Sequence, residues 1–214
     1  ASIVIALTAP NNIISPSTEG VSFRAALKGE NIKLMSITLL GFLSTFATVA
    51  FIGPVITQST GLEGAGIGGV QIVIGMGSLF GLPLGAALNR KGLKLSLLIL
   101  FATIGLTQIM FTASMLFDMK WITLPFLMLT MALSSAALFA TSPVIQTRLA
   151  ESAGPAVTIA FALNGSMVYF GQGFGAVLGG SVISTTGITW LGVCGALVAI
   201  VGIFVIMKLD AVRN

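Results

Sequence analysis

Long stretches without a charged side chain are the feature that most limits how this chain can fold. Residues 34–62, 64–89, 95–117, 121–147 and 152–207 contain no Asp, Glu, Lys or Arg. A helix needs about 20 mostly apolar residues to cross a bilayer, so the last stretch is long enough for two helices, folded near Thr185–Gly187. The pattern predicts six transmembrane helices, at residues 36–58, 65–88, 95–116, 122–145, 156–184 and 190–208.

Composition points to the same class of protein. The chain is 56% hydrophobic and 7% charged, whereas soluble domains carry about 25% charged residues. We therefore predict an all-α integral membrane protein with the lipid bilayer as its surroundings. The net charge of +4 is no sign of nucleic-acid binding, because the cations lie in loops beside apolar segments.

The residue types that most enzymes and metal sites need are scarce. There is no His, and the single cysteine, Cys194, lies within an apolar run, where it is expected to act as a small buried hydrophobe. No base, metal cluster or activated nucleophile can be named. We expect no enzymatic activity, no metal and no cofactor.

The distribution of cations predicts the orientation. If successive loops alternate sides, one side receives Arg24, Lys28, Lys33, Arg90, Lys91, Lys94, Arg148, Lys208 and Arg213, and the other receives Lys120. The side rich in Lys and Arg is cytoplasmic in membrane proteins. Both ends of the chain are therefore expected in the cytoplasm.

The first residues are apolar but too few to span a bilayer. Residues 1–12 are expected to be the end of a truncated transmembrane helix, with a disordered apolar tail as the alternative. Residues 13–35 are polar and are expected to form a cytoplasmic linker whose second half is an amphipathic surface helix. Residues 36–208 would be the six-helix bundle, and 209–214 a cytoplasmic tail.

Two helices carry glycines at every fourth position. The rows are Gly77, Gly81 and Gly85 in the second predicted helix and Gly171, Gly175 and Gly179 in the fifth. Small residues at this spacing allow close helix packing in membranes. We expect both rows to be packing faces, and such faces can also slide during transport.

The loop between the second and third predicted helices contains Gly85-x-x-x-Asn89-Arg90-x-Gly92-x-Lys94. This run resembles the G-x-x-x-D-R-x-G-R-[RK] loop signature of the major facilitator superfamily. Asn89 stands where that signature has an acid, and Leu93 where it has a second basic residue. Such weakening is typical of the second copy of the motif. The glycine-rich fifth helix also resembles the eleventh helix of the drug:H+ antiporter and arabinose-efflux branch.

The resemblance implies the C-terminal six-helix half of a bacterial inner-membrane transporter. Its partners would be the N-terminal half and a small-molecule substrate such as a drug or sugar. The resemblance also implies that the whole transporter works by alternating access and exports the substrate in exchange for protons. In the family, the loop motif helps to latch one conformation, and Asn89 would weaken that latch because it cannot form an ion pair. A purely topogenic role of these charges is the alternative.

Polar residues deep in the predicted helices are candidates for the substrate cavity, because transporter sites lie near the bilayer midplane. These candidates are Thr45, Thr48, Gln71, Ser134, Asn164 and Tyr169. Asn164 and Gln71 are favoured, since a buried amide needs hydrogen-bond partners. Hydrogen bonding between helices is the alternative for both. Apart from Lys208 at the end of the last one, the predicted helices contain no Asp, Glu, Lys, Arg or His, so a proton carrier would have to lie in the N-terminal half.

Two other functions fit the same residues. A half-size transporter could homodimerise, because the two halves of this fold are parallel repeats. The chain could also be a membrane subunit that transports nothing.

Overall fold

The computed structural model describes residues 23–117 and 120–209. The expectations for residues 1–12, for the first part of the linker (13–22) and for the tail beyond Leu209 lie outside these ranges. A single helical turn at Phe23–Ala26 opens the described part. Six long helices follow it.

We number the helices α1 to α6 in chain order. They are α1 Gly29–Thr60, α2 Ala65–Asn89, α3 Leu93–Leu116, α4 Thr123–Ala153, α5 Val157–Thr185 and α6 Leu191–Met207. α1 consists of two segments, Gly29–Val49 and Ile52–Thr60. Short 3-10 turns precede α4, α5 and α6.

Five continuous helical segments of the described chain are long and apolar enough to cross a membrane. One of them, Thr123–Thr185, has 63 residues. At 1.5 Å per residue, that length is about three times the thickness of the hydrocarbon core, so one straight span cannot contain it. The 3-10 turn Gly154–Ala156, which begins with a glycine at φ +52°, divides it into α4 and α5. The described chain is therefore an all-α, multi-pass membrane fold, as predicted.

Two helix boundaries differ from the prediction. α1 begins at Gly29 rather than residue 36, so Glu30 and Lys33 belong to its first turns instead of a linker. α4 continues to Ala153, well past the predicted end at 145, and it includes Arg148 and Glu151. Charge marks where a helix leaves the hydrocarbon, but the backbone remains helical beyond that point because its hydrogen bonds continue into the interface.

The glycine row of α2 packs against α4. A Cβ atom added at Gly77, Gly81 or Gly85 would meet the carbonyl oxygen of Ala132, Ala136 or Ala140, respectively. The residue numbers of the glycines and of the alanines they meet increase in the same order, so α2 and α4 run parallel.

The glycine row of α5 packs against α1 in the same way. A Cβ atom added at Gly171 would lie 2.6 Å from the carbonyl oxygen of Leu39, and one at Gly175 would lie 2.8 Å from that of Leu43. These two helices are also parallel. α3 and α6 are antiparallel, because Gly192 meets Gln108 while Gly202 meets Phe101. The directions are those of a bundle whose helices cross alternately up and down.

The centre of the bundle is formed by α1, α3, α4 and α6. Its largest fully buried side chains include Leu34, Leu100, Phe101, Phe111 and Leu138. α2 and α5 lie at the periphery, and the buried residues of α2 are Val70 and the three glycines. Each of these two helices is therefore attached along one narrow face, and the rest of its surface is exposed.

Candidate substrate cleft

A partly polar cleft opens between α1, α4 and α5. Its volume is about 160 Å³. The polar lining consists of Thr38, Thr141, Ser142, Gln146 and Asn164, and the apolar lining consists of Phe42, Phe161, Gly165 and Val168. None of these nine residues carries a formal charge. The cleft can therefore offer hydrogen bonds and apolar contact, but no ion pair.

Asn164 on α5 is one of the polar residues that line this cleft. Its side chain is 6% exposed, and Oδ1 accepts a hydrogen bond of 2.7 Å from the Thr38 hydroxyl of α1. That bond orients the amide, so Nδ2 remains as a donor on the same side chain. Among the described residues, no hydrogen-bond acceptor is assigned to Nδ2. Asn164 thus links α1 to α5 and carries an amide group with a further donor.

The α4 side of the cleft is arranged by local bonds. The Thr141 hydroxyl donates to the carbonyl oxygen of Leu138 at 2.6 Å, and Gln146 Nε2 donates to the Ser142 hydroxyl at 3.1 Å. A Ser hydroxyl that accepts one bond still has a proton to donate. Ser142 is therefore a second donor facing the cleft.

The other predicted cavity residues lie elsewhere. Thr45, Thr48 and Ser134 are buried but do not line the cleft. Thr48 donates to the backbone of its own helix at 2.9 Å. The hydroxyls of Thr45 and Ser134 have no partner among the described residues.

Gln71 and Tyr169 are on exposed surfaces instead. Gln71 lies on the open face of α2, and Tyr169 on α5 is 75% exposed. Tyr169, Ser166 and Phe170 line a separate shallow depression. The structure thus brings Asn164 together with Thr38, Ser142 and Gln146, which the prediction did not include, and not with Gln71.

A second polar cluster joins α1, α3 and α6. Ser44 donates to the carbonyl oxygen of Gly195 at 2.7 Å, and Gln108 Nε2 donates to the carbonyl oxygen of Ser44 at 3.1 Å. Gln108 is 1% exposed, and its Oε1 has no partner among the described residues. This cluster is enclosed, and we assign it to helix packing.

One end of the bundle collects most cations, and we call it the basic end; it includes Lys33, Arg90, Lys94, Arg148 and Lys208. Arg148 on α4 forms a two-bond ion pair with Glu30 on α1, with both N–O distances 3.0 Å. It also contacts Glu151 at 3.1 Å. The prediction missed this pair because it placed Glu30 in a linker and Arg148 in a loop. The predicted topology places the segments of Glu30 and Arg148 on the same side of the membrane. That shared side, together with their opposite charges, is the sequence signal for the ion pair.

The loop motif lies at the same end. Gly92 adopts φ +92°, which side chains with a Cβ atom rarely adopt, and it allows the tight turn from α2 into α3. Lys94 Nζ donates to the carbonyl oxygens of Met207 and Leu209 at 2.7 and 3.5 Å. A cation at the carbonyl end of a helix is favourable because it faces the negative end of the helix dipole. Lys94 therefore ties α3 to the end of α6.

No protein-family model matches the chain. A curated protein of Bacillus subtilis (strain 168), described as the uncharacterized MFS-type transporter YfhI, is 28% identical over 170 residues. The match supports membership of the major facilitator superfamily. The aligned region covers 78% of this chain and 41% of YfhI, so the chain spans less than half the length of this relative. A major facilitator relationship also agrees with the expectation that the chain is not an enzyme. Among the described residues, no group of three His, Cys, Asp or Glu could hold a metal ion.

Proposed function

We propose that the chain is the C-terminal six-helix half of a secondary active transporter that works by alternating access. The whole protein would export a small molecule, such as a drug or a sugar, in exchange for protons. The similarity to a transporter more than twice as long as the aligned region supports this proposal. The loop motif between α2 and α3 supports it as well.

The observation that carries the proposal is the position of Asn164. Its amide is 6% exposed, is oriented by Thr38 and lines a cleft of about 160 Å³. Polar side chains inside a membrane are costly, and Asn164 differs from the enclosed amide of Gln108 because it lines a cleft. We assign the cleft to one wall of the substrate path.

The exposed faces of α2 and α5 support a second half as the partner. α2 is buried mainly along its glycines. α5 presents Tyr169, Phe170 and Phe174 with 75%, 53% and 56% of their surface exposed. An N-terminal half placed against these faces would complete the substrate path, with Tyr169 and Gln71 at the junction.

Proton coupling is assigned to the partner half. The charged residues of α1 and α4 in the described chain lie near the basic end: Glu30 and Lys33 in the first turns of α1, Arg148 and Glu151 in the last turns of α4. A carrier of protons needs a group that titrates within the membrane. In this proposal that group belongs to the N-terminal helices.

Transport measurements on the full protein test the assignment. Efflux of ethidium and of labelled arabinose is measured from cells that express the wild type, Asn164→Ala, Thr38→Val or Thr158→Val. Loss of a buried hydrogen-bond partner costs about 1.4 kcal/mol, which is a factor of about ten. We expect KM to rise about tenfold in Asn164→Ala and less in Thr38→Val.

Thr158→Val is the matched control, because Thr158 is exposed at the start of α5 and lies outside the cleft. It should transport like the wild type. Unchanged transport in Asn164→Ala would remove the cleft from the substrate path. Absence of transport of every compound by the wild type would favour the non-transporting alternative.

A further inference from the structure

An apolar groove runs along the outer surface between α3 and α6, on a side of the bundle separate from the cleft. Its volume is about 240 Å³. The floor includes Gly105 and Ala199, and the walls include Leu106 and Ile109 of α3 with Ile200 and Ile203 of α6. The groove exists because the residues at the helix contact are small. A Cβ atom added at Gly105 would lie 3.5 Å from the Cβ of Ala199.

The same two helices are joined by a lysine at the basic end. Lys94 of α3 donates to the carbonyl oxygens of Met207 and Leu209, and Lys33 of α1 donates to that of Lys208 at 2.8 Å. The end of α6 therefore has three lysines: Lys33 and Lys94 donate to its carbonyl oxygens, and Lys208 follows it in the sequence. Together these three side chains carry a formal charge of +3.

The distance between the groove and Lys94 is similar to the hydrocarbon thickness of one bilayer leaflet. Gly105 follows Lys94 by eleven residues along α3, which is about 16 Å at 1.5 Å per residue. Ala199 precedes Met207 by eight residues in α6, which is about 12 Å. Half of the hydrocarbon core is about 15 Å thick. An acyl chain whose headgroup lies at Lys94 would thus reach the groove.

Exposed apolar side chains connect the two features. Leu95 and Ile99 of α3 and Phe204 and Met207 of α6 are 38–60% exposed, and they lie between the lysines and the groove. A path for a lipid chain along both helices is therefore apolar throughout.

We propose that this surface is a binding site for an anionic phospholipid. The acyl chain occupies the groove between α3 and α6, and the phosphate of the headgroup contacts Lys94 and Lys208. An ammonium has three donors, so Lys94 retains one after its two bonds to carbonyl oxygens. Charge favours an anionic lipid over a zwitterionic one, by about fivefold for each lysine, which corresponds to about 1 kcal/mol.

Native mass spectrometry of the full protein in detergent tests the site. The protein is incubated with phosphatidylglycerol or with phosphatidylcholine of the same acyl chains, and retained lipid is counted. We expect the wild type to retain phosphatidylglycerol about 25-fold more strongly. The pair Lys94→Gln with Lys208→Gln should abolish this preference, whereas Lys94→Arg with Lys208→Arg should preserve it.

The groove is tested by two substitutions at one position. Gly105→Leu places a side chain along the groove and should reduce retention of the anionic lipid at least fivefold. Gly105→Ala adds one methyl group in ordinary contact and should bind like the wild type. Equal retention of the two lipids by the wild type would overturn the proposal. An unchanged preference in the Gln pair would also do so, as would equal binding by Gly105→Leu and Gly105→Ala.

Discussion

The close contact between α2 and α4 predicts the effect of a single added methyl group. Gly81 of α2 is buried against α4, and a Cβ atom there would meet the carbonyl oxygen of Ala136 and lie 3.1 Å from its Cα. The atoms it would meet are backbone atoms, which cannot rotate away as a side chain can. Gly81→Ala must therefore push α2 away from α4.

The expected size of the effect follows from two opposing contributions. Overpacking in a well-packed contact costs about 1–3 kcal/mol. The change from glycine to alanine inside a helix contributes about 0.5–1 kcal/mol in favour of folding. Together they give a net decrease of about 0–2.5 kcal/mol in the free energy of unfolding of Gly81→Ala, with the middle of the range at about 1.3 kcal/mol.

Gly75 on the same helix provides the matched control. It is exposed, and a Cβ atom there would have no atom within 4 Å. Gly75→Ala should leave the stability unchanged or raise it by about 0.5–1 kcal/mol. The two variants differ only in what the methyl group meets.

Unfolding in a titration with sodium dodecyl sulfate, followed by the fluorescence of Trp121 and Trp190, measures the difference. Gly81→Ala should unfold at a lower fraction of denaturing detergent than both the wild type and Gly75→Ala. If Gly81→Ala were as stable as Gly75→Ala, the parallel contact of α2 with α4 would not be as close as described, and the reasoning would be refuted.

Three further substitutions test other contacts by the same titration. A double-mutant cycle of Glu30→Gln and Arg148→Met should give a coupling energy of about 1 kcal/mol, because the pair has good two-bond geometry but is about one-fifth exposed. Gly92→Ala should destabilise the protein by about 1–2 kcal/mol, because its φ of +92° is unfavourable for a residue with a Cβ atom. Thr38→Val should cost about 0.6–1.7 kcal/mol, because it removes the donor to Asn164 without changing the shape of the side chain.

Each of these has a result that would count against it. Additive single effects in the cycle would mean that Glu30 and Arg148 do not interact. A stability of Gly92→Ala equal to that of the wild type would show that the turn can adopt another backbone conformation. Thr38→Val as stable as the wild type would show that Asn164 finds another partner.

The all-α, multi-pass membrane fold could be predicted from the sequence, because it depends on properties that lie along the chain. A bilayer excludes charge from about 20 consecutive residues, so the uncharged stretches marked the six helices. Their exact ends could not be predicted in the same way. Residues such as Glu30 and Arg148 remain helical outside the hydrocarbon, where charge no longer limits the backbone.

The candidate cleft could be predicted only in part. The sequence favours Asn164 because an amide within a membrane helix needs hydrogen-bond partners and can bond to a substrate. Its partner Thr38 is 126 residues away, and Thr residues in membrane helices commonly bond to their own backbone. Gln71 had the same sequence signal as Asn164 but lies on an exposed face, and only the packing of α2 separates the two cases.

The sequence by itself determined that this chain is an all-α, multi-pass membrane protein, with glycine rows for close contact and with its cations outside the long uncharged stretches. These properties follow from the period of the helix and from the cost of charge in lipid. Tertiary structure alone decided which helix each row meets, which buried amide faces a cleft, and that Lys94 reaches the end of α6. The physical reason is that a helical period specifies a face but not its partner, and the partner is chosen by the fit of whole surfaces across the bundle.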